Sequence, residues 1–247
     1  QYMKCVVLAA GYATRLYPLT ENFPKPLLKV GGRAILDWLL DDIDSTGAVS
    51  EYVVISNYKF ARDFQDWAGK KPYKITVVDD GTETNETRLG AVKDIQFAIK
   101  KLNIDDDCLI LAGDNLLDFS LAGFIAYANR KGTSCVMRYY EPSEEKLKKC
   151  GVLTFDKNDL VTDMTEKPQN PASHWCCLPF YYYIKDDLKL IDAAIKSGCG
   201  TDAPGSLVAW LCKHTRVHAM EMQGRRYDIG TLESYERVQK EYRGIIK

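Results

Sequence analysis

The 247-residue sequence lacks a long apolar run, a charge excess and a paired cysteine motif, and each absence excludes a class of protein. No apolar stretch approaches the ~20 residues of a membrane-spanning helix, so we expect no membrane partner. Lysine plus arginine (33) nearly cancel aspartate plus glutamate (34), and the net charge of −1 argues against a nucleic-acid polymer as partner. No internal repeat or long linker divides the chain, whose length suits one large α/β domain.

The cysteines indicate neither a disulfide framework nor a metal centre. None of the eight lies in a C-x-x-C pair, Cys176 and Cys177 are adjacent, and most of the others lie inside apolar runs. Reduced, buried thiols in a cytoplasmic protein are the expected state. The apolar run that ends at Leu8 is too short for the core of a signal peptide. Residues 1–2, ahead of Met3, are interpreted as a cloning remnant.

Hydrophobic periodicity predicts alternating strands and helices in the first half of the chain. Short apolar runs give predicted strands at 5–8, 52–55, 75–78 and 108–112. Helical patterns lie between them, at 35–43, 60–67 and 91–102. This alternation is typical of β-α units and of a largely parallel sheet.

The second half of the chain has a more varied pattern. A hairpin is predicted at 151–155 and 160–165, and an aromatic strand at 176–184. Three helices are predicted, at 187–197, at 207–214 and after Gly230. Thr231 is the predicted N-cap of the last helix, because a threonine before an amphipathic pattern commonly accepts a bond from the first helical turn.

The most informative segment runs from Val6 to Val30 and reads V-V-L-A-A-G-Y-A-T-R-L-Y-P-L-T-E-N-F-P-K-P-L-L-K-V. An apolar strand gives way to small residues, whose backbone can approach a ligand closely and offer N–H groups to phosphate oxygens. Arg15 and Lys25 follow on the same loop, and two cations suit a polyphosphate. Prolines on both sides of Lys25 favour an extended, rigid segment, which a simple surface turn would also show.

This segment resembles the nucleotide-binding signature of the sugar-1-phosphate nucleotidyltransferases, L-A-x-G-x-G-T-R-L-x-P-x-T followed by P-K-P-L-L-x-V. Ala13 stands where the signature has its second glycine. The resemblance implies catalytic roles for Arg15 and Lys25. It also implies that the loop binds the nucleotide through Leu8, Ala9, Ala10, Gly11, Tyr12, Ala13, Thr14 and Arg15.

Two aspartates are candidate metal ligands. Asp114 follows a predicted strand in L-I-L-A-G-D-N, at the sheet edge where ligands of open α/β sheets bind. Asp228 lies in Y-D-I-G-T, which is similar to the family's W-x-D-x-G-T element. Mg²⁺ prefers one or two carboxylates plus phosphate oxygens. The resemblance implies that Asp114 and Asp228 share a Mg²⁺ cofactor and that Asp114 is catalytic; turn-capping roles are the alternative.

Three elements are candidates for binding the acceptor. Glu166-Lys167-Pro168 resembles the family's E-K-P element, in which the glutamate holds sugar hydroxyls and the lysine holds the acceptor phosphate. Gly151 fits the x-G-V segment, whose glycine lets the acceptor approach the backbone. Tyr181 is a further candidate, although alternating aromatic residues in a strand more often belong to the core.

The segment 81–91 matches the family least. Thr82 stands roughly where a glutamine is usual, and Thr87 where a base-contacting glycine is usual. Asn85 and Thr87 are the candidate base-binding residues. Asn85 and Arg88 could contact a base or an acceptor, and they would equally suit a turn and a helix start.

The resemblance covers residues 3–242 and implies the nucleotide-diphospho-sugar transferase fold, an α/β Rossmann-like three-layer sandwich with a mixed, mostly parallel central sheet. It implies one domain over 3–247, with a nucleotide-binding half at 3–115 and an acceptor-binding half at 116–247. The implied reaction joins the nucleoside monophosphate of a nucleoside triphosphate to a sugar-1-phosphate and releases pyrophosphate. The expected partners are the nucleotide and a small phosphorylated acceptor, and assembly into a homo-oligomer is left open.

Other activities stay open at this point. The departures at Thr82, Thr87 and Pro179 leave room for a cytidylyltransferase that acts on a phosphorylated alcohol or a phosphonate, such as phosphocholine. A glycosyltransferase would hold its metal with a D-x-D motif, and 105–107 offers an apparent match that precedes its strand. A non-catalytic sugar-nucleotide sensor would be expected to lose Lys25 or a metal aspartate.

Overall fold

The computed structural model describes residues 2–246. Its strands are β1 Met3–Leu8, β2 Lys29–Val30, β3 Arg33–Ala34, β4 Val49–Ser56, β5 Ile75–Asp79, β6 Cys108–Ala112, β7 Leu116–Leu117, β8 Ser134–Tyr140, β9 Gly151–Phe155, β10 Val161–Glu166, β11 Trp175–Tyr183, β12 Val217–Glu221 and β13 Arg226–Tyr227. Its helices are α1 Ile35–Ser45, α2 Ala61–Ala68, α3 Ala91–Leu102, α4 Ala122–Lys131, α5 Glu144–Leu147, α6 Lys185–Leu188, α7 Ile191–Lys196, α8 Gly205–Leu211 and α9 Leu232–Glu241.

These elements form two compact units. The first contains the residues up to Arg88, Leu111–Ala122 and the chain from Gln223 onward, and the second contains Leu89–Ile110 and Gly123–Met222. The predicted single domain with halves at 3–115 and 116–247 stays a prediction. The two units are built from other segments of the chain than these halves. In particular, α9 and Asp228 belong to the first unit.

The first unit contains a parallel sheet in which β4 lies between β1 and β5. Val7 pairs with Val54, which pairs with Val77 on the other side. The predicted strands at 5–8, 52–55 and 75–78 are therefore confirmed. Helix α1 buries one stripe, as its periodicity predicts, through Ile35, Leu36, Leu39, Leu40 and Ile43.

The second unit has the strand order β10-β9-β11-β8-β12. Strands β9 and β10 form the predicted antiparallel hairpin, and β8 pairs antiparallel with β11 and parallel with β12. Parallel and antiparallel pairs both occur in the protein, as expected for a mixed sheet. The sequence did not predict β8, because Arg138 interrupts its apolar run. This arginine is buried, bound to Asp159 at 3.0 Å and packed over the Phe155 ring.

Some predicted helix boundaries need correction. The single helix expected at 187–197 is two short helices, α6 and α7. Asp187 is buried there and accepts a hydrogen bond from Ser134, so the segment does not present one continuous apolar face. The last helix is as predicted, since the Thr231 hydroxyl oxygen accepts a bond from Ser234 N at 3.2 Å.

The described part of the chain contains neither a disulfide nor a membrane-spanning helix. None of the eight cysteines is in a disulfide; four are buried and four are half-buried. Within residues 2–246, no helix combines the length and the apolar character needed to cross a membrane.

Candidate active site

The predicted nucleotide loop leaves the end of β1 and is tied to the end of β4. Ala9 N donates to Ile55 O at 2.9 Å, and the Asn57 side-chain amide donates to Ala10 O at 3.0 Å. Gly11 is exposed, and a Cβ added to it would meet nothing within 4 Å. The backbone around Gly11 is thus open to a ligand, as a phosphate-binding loop requires.

Ala13 adopts the left-handed conformation, with φ 48° and ψ 47°. This region costs a residue with a Cβ about 1–2 kcal/mol, and glycine adopts it freely. The signature's glycine at this position is therefore explained by the backbone, and Ala13 keeps the same conformation. Two interactions offset the strain: Ala13 O accepts a bond from the Thr20 hydroxyl at 2.8 Å, and its methyl group packs against the cluster around Leu16.

Tyr12 connects the loop to the candidate base-reading segment. Its hydroxyl donates to Thr82 O at 3.2 Å, its ring packs against Phe60, and burial raises the pKa of the phenol. The Thr82 hydroxyl is itself used, since it donates to Asp80 at 2.6 Å. Thr82 therefore helps to hold the loop in place, and its side chain does not replace the base-pairing amide of a glutamine.

Asn85 and Thr87 lie in a short 3-10 turn. The Thr87 hydroxyl donates to Thr84 O at 3.1 Å and accepts a bond from Thr84 N at 3.2 Å. These contacts are the local bonds of a capped turn, so the Thr87 hydroxyl is used within the turn. Base binding by Asn85 stays a prediction.

Lys25 and Asp114 form an ion pair in the first unit. Lys25 Nζ donates to Asp114 Oδ2 at 3.0 Å, and the lysine side chain is only 12% exposed. Gly113 permits this approach, because a Cβ there would lie 2.8 Å from a Val7 methyl and 3.4 Å from Pro26 Cγ. The structure thus brings the proline-flanked lysine and the aspartate after β6 together.

Asp228 follows β13, which pairs with β7, and β7 begins two residues after Asp114. Tyr227 in β13 pairs antiparallel with Leu116 in β7, so the chain beyond Tyr227 runs alongside the residues before Leu116. Arg15 and Asp228 approach the same glycine. A Cβ added to Gly230 would lie 3.3 Å from Asp228 Oδ2 and 3.6 Å from Arg15 Nη2.

In the cluster of Arg15, Lys25, Asp114 and Asp228, the two carboxylates are oxygen ligands of the kind that Mg²⁺ prefers, and the two cations can bind phosphate oxygens. Among the described residues there is no group of three or more histidine, cysteine or acidic side chains that could hold a metal. Mg²⁺ does not need one, because it usually takes one or two carboxylates and completes its octahedron with water and substrate phosphates. The Lys25 ammonium already lies where Asp114 Oδ2 would meet a cation.

The predicted acceptor residues Gly151 and Glu166 meet in the second unit. Glu166 pairs with Gly151 across the β9–β10 hairpin, and a Cβ on Gly151 would lie 2.8 Å from Glu166 Oε1. A Cβ on Gly205, at the start of α8, would overlap the same oxygen. Burial raises the pKa of the Glu166 carboxyl, and the neighbouring Lys167 opposes this rise. The carboxylate therefore occupies a niche that only glycines leave open.

The other two acceptor candidates differ in exposure. Lys167 is exposed, has a positive φ of 48°, and its N–H donates to Cys150 O at 2.8 Å. Tyr181 is only 3% exposed and stacks on Tyr183 at 5.8 Å. Its burial favours the core alternative over acceptor contact.

The sequence profile described as "Nucleotidyl transferase" matches residues 4–244. The chain belongs to this nucleotidyl transferase family. The resemblance based on the 6–30 segment is thereby confirmed.

Curated relatives of the family support this membership. The chain is 26% identical to the bifunctional protein GlmU of Methanocaldococcus jannaschii, over 92% of this chain and 51% of GlmU. It is 28% identical to a putative mannose-1-phosphate guanyltransferase of Sulfolobus acidocaldarius, over 97% of this chain and 63% of the relative. A UTP–glucose-1-phosphate uridylyltransferase of Haloferax volcanii, AglF, is 26% identical over 92% and 91%. The chain thus spans about half to two thirds of the first two relatives.

Solved structures of nucleotidyl transferases have the same fold. UDP-glucose pyrophosphorylase in complex with UDP-glucose superposes with a TM-score of 0.84 at 18% identity, covering 97% of this chain and 98% of that one. A putative glucose-1-phosphate thymidylyltransferase from Bacillus anthracis gives 0.77 at 20% identity, covering 96% and 94%. The predicted α/β fold class with its mixed central sheet is confirmed.

Four residues of the site carry no prediction from the sequence. Asn115 donates to Asp114, and Arg226 donates to Asn115. At Gly205 an added Cβ would meet Glu166, and at Gly230 it would meet Asp228 and Arg15. An asparagine after Gly-Asp and a glycine after proline at a helix start are weak signals, because both are also common in ordinary turns.

The niche around Glu166 gives the first testable prediction. Gly205→Ala is expected to displace the Glu166 carboxylate and to lower kcat/KM for the acceptor roughly 10²-fold, because small misplacements of a positioning group are costly. The KM for the nucleotide should not change. Steady-state kinetics with each substrate varied in turn would measure both effects.

Gly123→Ala is a matched control within the same unit. Gly123 is also helical, and a Cβ there would make only an ordinary 3.8 Å contact with Met220. An acceptor KM in Gly205→Ala equal to that of the control would remove Glu166 from the acceptor site.

Proposed function

We propose that this protein transfers a nucleoside monophosphate from a nucleoside triphosphate to a sugar-1-phosphate and releases pyrophosphate. The observation that carries the proposal is the cluster in which Lys25 meets Asp114, and Arg15 and Asp228 approach the same glycine. Two guanidinium or ammonium groups and two carboxylates suit phosphoryl transfer, which depends on positioning and charge stabilisation.

Each candidate site residue of the first unit has a proposed role. The open backbone around Gly11 binds phosphate oxygens through its N–H groups. Arg15 binds the pyrophosphate part of the nucleotide, since a guanidinium can form paired bonds with phosphate oxygens. Lys25, held by its flanking prolines, screens the reacting α-phosphate.

Asp114 and Asp228 would hold the magnesium ion that this family membership suggests. The ion supplies charge neutralisation for the phosphate oxygens. Its binding here is a proposal, supported by the paired carboxylates and by the cation that Asp114 already accepts. A cytoplasmic location likewise stays a prediction.

Glu166 and Lys167 of the second unit are proposed to hold the acceptor. The half-buried Glu166 carboxylate would accept hydrogen bonds from sugar hydroxyls, and the exposed Lys167 would bind the acceptor phosphate. An oxygen of that phosphate attacks the α-phosphorus, the bond from the α-phosphorus to the bridging oxygen breaks, and pyrophosphate leaves with the electron pair. The acceptor phosphate is already anionic, so no protein nucleophile or strong base is required.

One observation favours a second candidate within the same chemistry. Thr82 has no side-chain amide that could pair with a base. Its hydroxyl donates to Asp80, and its carbonyl oxygen accepts a bond from Tyr12. We therefore expect a base preference that differs from that of relatives with the glutamine. Cytidylyl transfer to a phosphorylated alcohol or a phosphonate is the alternative that we retain.

The glycosyltransferase alternative is disfavoured by the structure of its D-x-D match. Asp105 pairs with Lys189 at 3.1 Å, and Asp107 accepts a bond from Lys185 N at 2.8 Å. Both carboxylates, which lie ahead of β6, are thus used in contacts with the two ends of α6.

A substrate panel tests the proposed function. We expect pyrophosphate release with Mg²⁺, a hexose-1-phosphate and UTP or dTTP, because the sugar-holding glycine and glutamate are in place. The panel combines the four ribonucleoside triphosphates and dTTP with glucose-, mannose- and N-acetylglucosamine-1-phosphate, phosphocholine and 2-aminoethylphosphonate. Asp114→Asn is the blank for contaminating activity. Release only with the last two acceptors would replace the sugar reaction by the alternative, and no release with any pair would contradict nucleotidyl transfer.

A further inference from the structure

A chain of two hydrogen bonds leads from Arg226 to the candidate metal ligand Asp114. Arg226 Nη1 donates to Asn115 Oδ1 at 3.2 Å, and Asn115 Nδ2 donates to Asp114 Oδ1 at 3.0 Å. On the other side of the carboxylate, Lys25 donates to Oδ2. All four residues belong to the first unit.

The donor and acceptor chemistry permits only one orientation of the Asn115 amide. A guanidinium can only donate and an ionised carboxylate can only accept, so Asn115 must present its oxygen to Arg226 and its NH₂ group to Asp114. In the flipped orientation the amide oxygen would face the carboxylate and the NH₂ group would face the guanidinium. Arg226 therefore excludes the flipped state. Because Asn115 is only 5% exposed, water cannot readily replace either partner.

We propose that Arg226, acting through Asn115, is a positioning residue that fixes the Asp114 carboxylate for metal binding, an inference that rests on the proposed function. The amide occupies Oδ1, so Oδ2 is the oxygen offered to a cation, and Lys25 takes that place in the structure. Partners behind metal ligands commonly change metal affinity or activity 10–100-fold when they are replaced.

Arg226 is a feature of this chain rather than of the family pattern. In W-x-D-x-G-T the tryptophan precedes the aspartate by two positions, and Arg226 stands at that place relative to Asp228. Strand β13 fixes its position, since Arg226 pairs with Leu117 across β7. The strand pairing that precedes Asp228 thus also places this guanidinium next to Asn115.

Manganese binding to the nucleotide-free protein tests the proposal without turnover. Mn²⁺ affinity would be measured by water-proton relaxation in wild type, Arg226→Met, Asn115→Leu and the double variant. We expect Arg226→Met to weaken Mn²⁺ binding roughly tenfold. We expect the same substitution to have almost no effect in the Asn115→Leu background, because the connection to Asp114 is already broken. Arg226→Lys should recover part of the affinity.

Two comparisons separate positioning from other causes. Arg225→Met removes a neighbouring charge that lies 3.5 Å from Glu241 and over the Tyr227 ring, and it should leave Mn²⁺ binding unchanged. If Arg226→Met lowered Mn²⁺ affinity equally in the wild-type and Asn115→Leu backgrounds, the arginine would act directly through its charge, and the proposal would be overturned. Equal Mn²⁺ binding in wild type and Asp114→Asn would also overturn it, whereas pyrophosphate release by the wild type would still support nucleotidyl transfer.

Discussion

Replacing Asp114 by asparagine is expected to lower kcat about 10³-fold while the protein stays folded, and Asp228→Asn should have a similar effect. Each change removes one of the two carboxylates available to a metal, which we expect to cost about 4 kcal/mol of transition-state stabilisation. The fold should tolerate the changes, because the Asp114 side chain is 40% exposed and exposed ion pairs contribute only about 0–1 kcal/mol. Pyrophosphate release and thermal melting measure the two outcomes.

Asp186→Asn is the control for the loss of a carboxylate. This side chain is 77% exposed and its ion-pair partner, at 3.8 Å, is Lys189, so the activity of the variant should equal wild type. Near wild-type kcat in Asp114→Asn or Asp228→Asn, with a normal Tm, would mean that the residue concerned is not a metal ligand.

Replacing Lys25 by methionine is expected to have opposite effects on catalysis and on metal binding. We expect kcat to fall about 10²–10³-fold, and to fall more than the KM for the nucleotide rises, because the charge that Lys25 screens grows as the two phosphates approach. Mn²⁺ binding to the nucleotide-free protein should become tighter, because the ammonium 3.0 Å from Asp114 Oδ2 no longer competes with the ion. Steady-state kinetics and proton relaxation measure the two effects.

Lys29→Met is the matched control for this loss of charge. Lys29 lies four residues further along the same segment and is exposed, so neither kcat nor Mn²⁺ affinity should change. A wild-type kcat in Lys25→Met would assign Lys25 to the surface-turn alternative. Weaker Mn²⁺ binding in that variant would show that the lysine supports the metal site rather than competing with it.

The sequence predicts the parts of this protein whose determinants are local. Residues 5–8 of β1 and all of β6 are continuous apolar runs, and the proline-flanked Lys25 and the Gly-Asp after β6 carry recognisable local chemistry. Strand β8 was missed because Arg138 is made tolerable only by Asp159 and Phe155, which lie elsewhere in the chain. Burial of a charge by distant partners leaves no periodic signal.

The supporting residues of the site could not be predicted for the same reason. Gly230 lies beside Arg15, and Gly205 lies beside Glu166, only because segments that are distant in the sequence pack together. Asn115 has a role because β7 pairs with β13 and brings Arg226 to it. A one-residue shift in that pairing would separate these groups without changing any local motif.

The equal numbers of cations and carboxylates in the Arg15, Lys25, Asp114 and Asp228 cluster bear on how a nucleotide arrives. Opposite charges this close cancel at a distance, so the cluster exerts little long-range attraction on a bare polyanion. A triphosphate that enters as a chelate, with its counter-ion already attached, meets carboxylates as well as cations. The cluster therefore suits the metal chelate of a nucleotide, which carries less negative charge than the free triphosphate.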